Sequence, residues 1–134
     1  MISVVLPSSL TSESPDRRIR TYKVGVIARA CAIFCVDEII IYRDPEYDDS
    51  DFICKILEWV ETPQYLRKKI FPLERELRWV GVVPPLRTPH HPPPSFSVGE
   101  IREGLATGSS VDIGAERPAK LVGPPRKGRI TVCI

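Results

Sequence analysis

The rhythm of apolar and polar positions changes several times along the chain, and each change predicts a different element. Residues 2–6 (ISVVL) form a short β-branched run closed by Pro7 and two serines, the pattern of a buried strand. From Ser14 the spacing becomes helical. Ser14 suits a cap, Pro15 a first turn and Asp16 the positive end of the helix dipole. Apolar residues then recur at Ile19, Tyr22, Val26, Ile27, Ala30, Ile33 and Phe34. Residues 36–42 (VDEIIIY) read as a second strand, ended by Arg43, Asp44 and Pro45. Strand, helix and strand at this spacing predict a βαβ unit with parallel strands and a right-handed crossover.

The acidic stretch Asp44, Glu46, Asp48, Asp49, Asp51 reads as a solvated turn, and Phe52, Ile53, Ile56, Leu57 and Val60 mark another amphipathic helix. Thr62 and Pro63 suit the cap and first turn of a short basic helix reaching Lys69, and residues 73–79 predict one or two more helical turns before the apolar 80–83. Six of the 14 prolines then fall between Pro84 and Pro94 (PPLRTPHHPPP), a stretch that can be neither helix nor central strand and reads as an extended connector. Beyond it the period drops towards two. Residues 100–106 and 111–113 are short strand-like segments, and 129–134 alternates, with Ile130, Val132 and Ile134 on one face and Arg129, Thr131 and Cys133 on the other. Short strands with Gly and Pro turns predict a small barrel or sandwich. The expected division is 1–83 as an α/β part, 84–95 as connector and 96–134 as a partial β-barrel.

Composition narrows the function classes. With 19 Lys+Arg against 17 Asp+Glu in 134 residues, the net charge of +2 gives no chain-wide attraction to nucleic acid, so any such binding rests on local patches. No apolar run approaches the roughly 20 residues of a membrane span, and residues 1–10 lack a basic signal-peptide head. Four scattered cysteines are too few for a disulfide framework, and a reduced, cytoplasmic protein is expected.

Among candidate chemical groups, Arg29 comes first. It is the single formal charge in residues 24–34 (VGVIARACAIF), a helix so apolar that burial on more than one side is expected. A guanidinium there must meet a carboxylate such as Asp37 or Glu38, or else an external anion. Arg17, Arg18, Arg20 and Lys23 crowd the start of the same helix against its dipole, as a solvated face or a phosphate-facing patch. Arg67, Lys68, Lys69, Arg75 and Arg78 alternate with Tyr65, Phe71 and Trp79, although aromatics at such spacings usually belong to a core. A third basic group, Arg117, Lys120, Arg126, Lys127 and Arg129, lies in the β-rich tail. His90 and His91 have neither cysteine nor carboxylate at ligand spacing, so no metal is expected there. Cys31 and Cys35 suit a metal or redox pair, or two small core residues. The sequence contains no GxGxxG, P-loop, nucleophile elbow or CxxC.

Three blocks carry a family resemblance. Residues 20–42 (RTYKVGVIARACAIFCVDEIIIY) resemble the first motif of the SPOUT class of RNA methyltransferases, with Gly25, Arg29, Val36 and Asp37 at its marked positions. TPQYLRKKIFP (62–72) and PLRTPHH (85–91) are similar to the archaeal and eukaryotic RNA uridine methyltransferase branch, whose methyltransferase domain carries an OB-like insert. IREGL (101–105) is similar to the opening of that insert. The resemblance implies the N-terminal half of a trefoil-knotted, Rossmann-like parallel-sheet domain followed by a partial OB-like barrel, working as a homodimer without metal or membrane. It implies methyl transfer from S-adenosylmethionine to a base of RNA, expected to be a ribosomal uridine. Arg29 would be the catalytic candidate. The implied RNA contacts are Arg17, Arg18, Arg20, Lys23, Arg67, Lys68, Lys69, His90, His91, Arg102, Arg126 and Lys127. In that family the knot and the cofactor pocket lie in the half after the insert, where this chain ends, so no bound cofactor is expected from these residues alone. A sheet so shortened is expected to leave an unpaired edge and an open apolar face. A non-catalytic RNA-binding protein is the alternative reading.

Overall fold

Strands β1 (Ser3–Pro7) and β2 (Glu38–Tyr42) pair in parallel, from Ser3 opposite Glu38 to Pro7 opposite Tyr42, in a computed structural model that describes residues 1–72, 74–86, 88, 91–93 and 95–134. Helix α1 (Arg17–Ile33) makes the crossover between them. Its N-cap is Asp16, whose carboxylate accepts the Arg18 N–H at 2.8 Å. The sequence places the cap two residues earlier, at Ser14. That serine is instead buried in the preceding turn, where its N–H donates to the Thr11 carbonyl at 3.1 Å. At the other end Cys35 adopts a left-handed conformation (φ 52°), which stops the helix and returns the chain to β2.

Helix α2 (Ser50–Glu61) lays Phe52, Ile53, Ile56 and Val60 against Val24 and Ala28 of α1, and these six residues are the first core. A 3-10 turn over Val80–Val82 delivers Val83 to the same cluster. A Cβ on Gly25 would lie 2.6 Å from Val83 Cγ1 and 3.1 Å from its Cβ, so only glycine lets the turn sit this close to the helix. Gly25→Val is therefore expected to cost roughly 1–3 kcal/mol by overpacking a stiff neighbour. Chemical denaturation of the variant checks this, and an unchanged midpoint would contradict the contact.

The expectation that α1 is buried on more than one side is not met. Only Thr21, Val24, Gly25 and Ala28 are buried, while Ile19, Tyr22, Val26, Ile33 and Phe34 are exposed, Phe34 to 73%. Val5 and Ile40, opposite one another in the sheet register, are exposed too. Parallel sheets are ordinarily covered on both faces. The apolar residues of α1 outnumber the positions its neighbours cover.

Clustering of contacts divides the chain into Met1–Glu61 with Leu73–Leu86, and Thr62–Pro72 with Arg87–Ile134. Residues 62–72, read from sequence with the first part, thus pack in the second unit. That unit holds helix α3 (Gln64–Ile70) and strands β3 (Ile101–Gly108), β4 (Ser110–Asp112), β5 (Ala119–Lys120) and β6 (Arg126–Cys133). The strands form one antiparallel sheet in the order β5-β4-β3-β6. Ala106, Val111 and Ile113 are its core, and Ile130, Val132 and Ile134 pack on them, the face their alternation predicts. Tyr65 of α3 lies flat on Gly114, where a Cβ would be 2.6 Å from the ring and φ is +79°, and its hydroxyl donates to the Glu103 carbonyl at 2.7 Å.

Candidate functional site

In parallel α/β sheets the loops at the carboxyl ends of the strands form the usual site. Here those loops are 8–16 after β1 and 43–49 after β2, and they are tied to one another. Ser8 N–H donates to the Tyr42 carbonyl at 2.8 Å, and its hydroxyl donates to the Tyr47 carbonyl at 3.0 Å while accepting the Asp44 N–H at 2.9 Å. Ser9 Oγ donates to Asp44 Oδ2 at 2.5 Å. Asp49 Oδ2 accepts from Thr11 Oγ1 at 2.8 Å, Arg20 Nη1 at 3.1 Å and Tyr47 Oη at 3.1 Å.

The acidic stretch is thus a set of acceptors that shapes two loops, not a merely solvated turn. The Ser9 hydroxyl and then the Glu46 N–H hold the Asp44 carboxyl below the usual range. The hydroxyl and N–H of Ser50 do the same for Asp48. Burial, reinforced by the hydrogen bond to Asp49, raises the Tyr47 phenol.

The structure sorts the expected RNA contacts into engaged and open cations. Arg20 is engaged: Nη1 is on Asp49 and Nε donates to the Ser14 carbonyl, so its guanidinium closes the loops instead of facing outward. Lys23 is ion-paired with Glu13. In the second unit Arg102 is 2% exposed, and its guanidinium is spent on internal acceptors. Its Nε donates to Glu100 Oε1 at 2.8 Å, Nη1 to the Ile113 carbonyl at 3.2 Å, and Nη2 to the carbonyls of Pro93 and Ser95 at 2.5 and 2.7 Å. Arg67 Nε donates to the Thr62 carbonyl at 2.8 Å, and burial lowers its pKa. Lys69 is paired with Asp112. Lys68, Arg126 and Lys127 are exposed. The His91 N–H donates to the Thr88 carbonyl at 2.9 Å, and His90 lies outside the described residues.

Arg17, Arg18 and Arg29 are exposed, with no carboxylate partner among the described residues. For Arg29 this excludes both interior pairings considered from sequence. Asp37 instead accepts the Ile2 N–H at 2.7 Å, and Glu38 accepts the Ser3 hydroxyl at 3.1 Å. Arg29 shares its helical face with the exposed Tyr22, Val26 and Ile33, spaced four, three and four residues apart. A guanidinium on an apolar, open stripe is free to meet an anion there without first breaking an internal bond. From sequence Arg78 belongs to a basic and aromatic segment whose aromatics, Trp79 among them, are expected in a core; in the structure Trp79 carries two guanidiniums, at 6.0 Å (Arg18) and 5.1 Å (Arg78) from its ring centre.

Ser8, Thr11, Tyr47 and Asp49 are hydrogen-bonded across the strand-end loops, and Glu46 is an exposed carboxylate beside them. In the second unit a groove of about 360 Å³ is lined by Leu121, Val122, Gly123, Pro124, Arg126 and Ile130 to Val132, with no carboxylate among them. Cys31 and Cys35 are free thiols, and no group of three or more metal-ligating side chains occurs among the described residues. No described helix is long and apolar enough to cross a membrane.

Residues 1–134 match the family described as "Putative RNA methyltransferase". The chain is 35% identical to the 28S rRNA (uridine-N(3))-methyltransferase of Homo sapiens over 144 aligned residues, which cover 90% of this chain and 38% of the relative. The Mus musculus protein of the same name gives 35%, 90% and 37%. An uncharacterized protein of Halobacterium salinarum is 37% identical, with 92% of this chain and 47% of the relative covered. The chain thus spans between about a third and a half of the length of these relatives.

Proposed function

This chain belongs to that RNA methyltransferase family, and on that premise we propose that it is the RNA-positioning part of an enzyme that transfers a methyl group from S-adenosylmethionine to a ribosomal uridine. The single observation that carries the reading is the family match over all 134 residues. The names of the human and mouse relatives point to N3 of uridine.

Within this reading the first unit opens a SPOUT-type knotted domain and the second is its OB-like insert, the prolines of 84–95 marking the passage between them. The parallel β1–α1–β2 unit and the antiparallel four-stranded sheet support that division. Arg29 is the candidate that approaches the target base or its phosphate. Its exposure and lack of an interior partner support the role. A guanidinium offers five N–H donors in a fixed fork, suited to a phosphate or to the oxyanion character that grows on a uracil as N3–H is lost. When bound, the methyl donor would supply an electrophilic methyl group to the target base. Four free cysteines accord with a reducing, cytoplasmic setting.

The reading includes assembly as a homodimer, supported by the open stripe of Ile19, Tyr22, Val26 and Ile33, a surface of the kind that seats against protein, with Arg29 of the same stripe meeting RNA at the edge of that seam. Val26→Glu is expected to shift the protein from dimer to monomer in light scattering, and a wild-type protein already monomeric at micromolar concentration would contradict the assembly.

The test of the function incubates the whole protein with donor and a ribosomal RNA fragment, then digests the RNA to nucleosides for mass spectrometry. N3-methyluridine is the expected product. RNA bound but left unmethylated would favour a non-catalytic RNA-binding protein.

A further inference from the structure

The guanidiniums of the first unit differ in what they rest upon. Arg20 spends its N–H groups on Asp49 and the Ser14 carbonyl, although its Cζ also lies 5.6 Å from the Tyr47 ring centre. Arg17 and the two arginines on Trp79 have aromatic-ring contacts without such bonds. The Arg17 Cζ lies 5.5 Å from the centre of the Phe52 ring, complementing the Arg18 and Arg78 contacts with the indole. A cation–π contact takes no carboxylate or carbonyl acceptor, so it leaves the guanidinium N–H groups able to meet an external oxygen. None of Arg17, Arg18 and Arg78 has a carboxylate or carbonyl partner for its side chain among the described residues. Like charges gathered on one indole repel one another, and an anion brought to them turns that repulsion into attraction.

The mount is firm. Phe52 is 5% exposed in the first core. Trp79 is the residue immediately before the 3-10 turn that delivers Val83 against Gly25 of α1. Aromatic bracing lowers the freedom each arginine loses on binding, because the side chain is already held.

Resting on the RNA methyltransferase reading, we propose that Arg17, Arg18 and Arg78, carried on Phe52 and Trp79, grip the phosphodiester backbone of the substrate RNA. Such contacts set the register and orientation of the strand without reading its sequence. The recognised chemistry is the phosphodiester oxygen, which accepts the paired N–H groups of a guanidinium edge.

The test uses the full chain and a fluorescein-labelled oligouridylate of about a dozen nucleotides, with anisotropy titrations at several salt concentrations. The Arg18→Gln/Arg78→Gln double variant is expected to lose about 10- to 100-fold in affinity at low salt. Its salt slope should fall by about 1.4, since each single-strand phosphate contact contributes about 0.7. The melting temperature should stay put, because neither side chain closes an internal hydrogen bond. Arg18→Lys/Arg78→Lys keeps the charge and should restore the slope with only part of the affinity. Trp79→Leu removes the bracing but no charge, and should weaken binding with the slope nearly unchanged. A Gln double variant with wild-type affinity and slope would overturn the grip while leaving the RNA reading standing. A wild-type chain with no salt-sensitive binding of the oligouridylate would sink both.

Discussion

Replacing Arg102 by methionine is expected to unfold the second unit while the first stays folded. The side chain is buried among acceptors only: one carboxylate of Glu100 and the carbonyls of Pro93, Ser95 and Ile113. Its guanidinium also faces the Phe96 ring at 5.6 Å. It therefore fastens Pro93, Ser95 and Phe96, at the end of the proline-rich connector, to β3 and to the segment just after β4. Methionine fills much of the volume but supplies no donor, so three carbonyls and a carboxylate lose their partner at once. Removing one member of a buried charged network costs about 3–5 kcal/mol, comparable with the whole stability of a unit this small. Hydrogen exchange read by mass spectrometry separates the units. Amides of β3 and β6 should lose protection in Arg102→Met, and those of α1 and α2 should keep theirs. Retained protection in β3 would mean that the network is not what holds the connector. Glu100→Gln, which keeps an acceptor for Nε, should be markedly milder.

Arg29→Ala in the whole protein is expected to lower methyl transfer by about 100-fold or more, the loss typical of removing a donor aimed at developing charge. Affinity for S-adenosylmethionine should be unchanged and the melting temperature nearly so, since Arg29 closes no interior bond. Those two controls matter because an arginine paired inside the fold would move stability together with activity. Arg29→Lys should recover only part of the rate, because an ammonium lacks the planar fork. Single-turnover assays with pre-bound RNA distinguish slower chemistry from weaker binding. Wild-type turnover by Arg29→Ala would remove the residue from the mechanism.

Much of the architecture could be read from the order of residue types. The β-branched runs at 2–6 and 36–42 with a helical pattern between them led to a parallel pair, and the strict alternation of Ile130, Val132 and Ile134 led to the inner face of β6. Burial was harder. The apolar residues of α1 outnumber the positions its neighbours cover, and a sequence records what a helix is suited to contact, not how many partners surround it. Arg20, Arg29 and Arg102 show the same difficulty for charge. They are one residue type in three situations, and the difference lies in acceptors that only the fold brings near. The carbonyls that hold Arg102 lie seven to eleven residues away along the chain. The strand-end network left a clearer trace, for a serine- and threonine-rich loop after one strand and an Asp-rich loop after the next are the donors and acceptors of side-chain-made turns. Trp79 gave none, since an aromatic that braces two arginines and one that fills a core have the same spacing.

The division between arginines that build the fold and arginines proposed to meet RNA can be measured residue by residue. Phenylglyoxal modification of the full chain, with and without bound oligouridylate, reads each guanidinium by mass spectrometry. Arg102 and Arg20 should be unreactive in both states. Arg17, Arg18, Arg29 and Arg78 should react in the free chain and be protected by RNA. Reactive Arg102, or protection that passes over these four and falls elsewhere, would contradict the division.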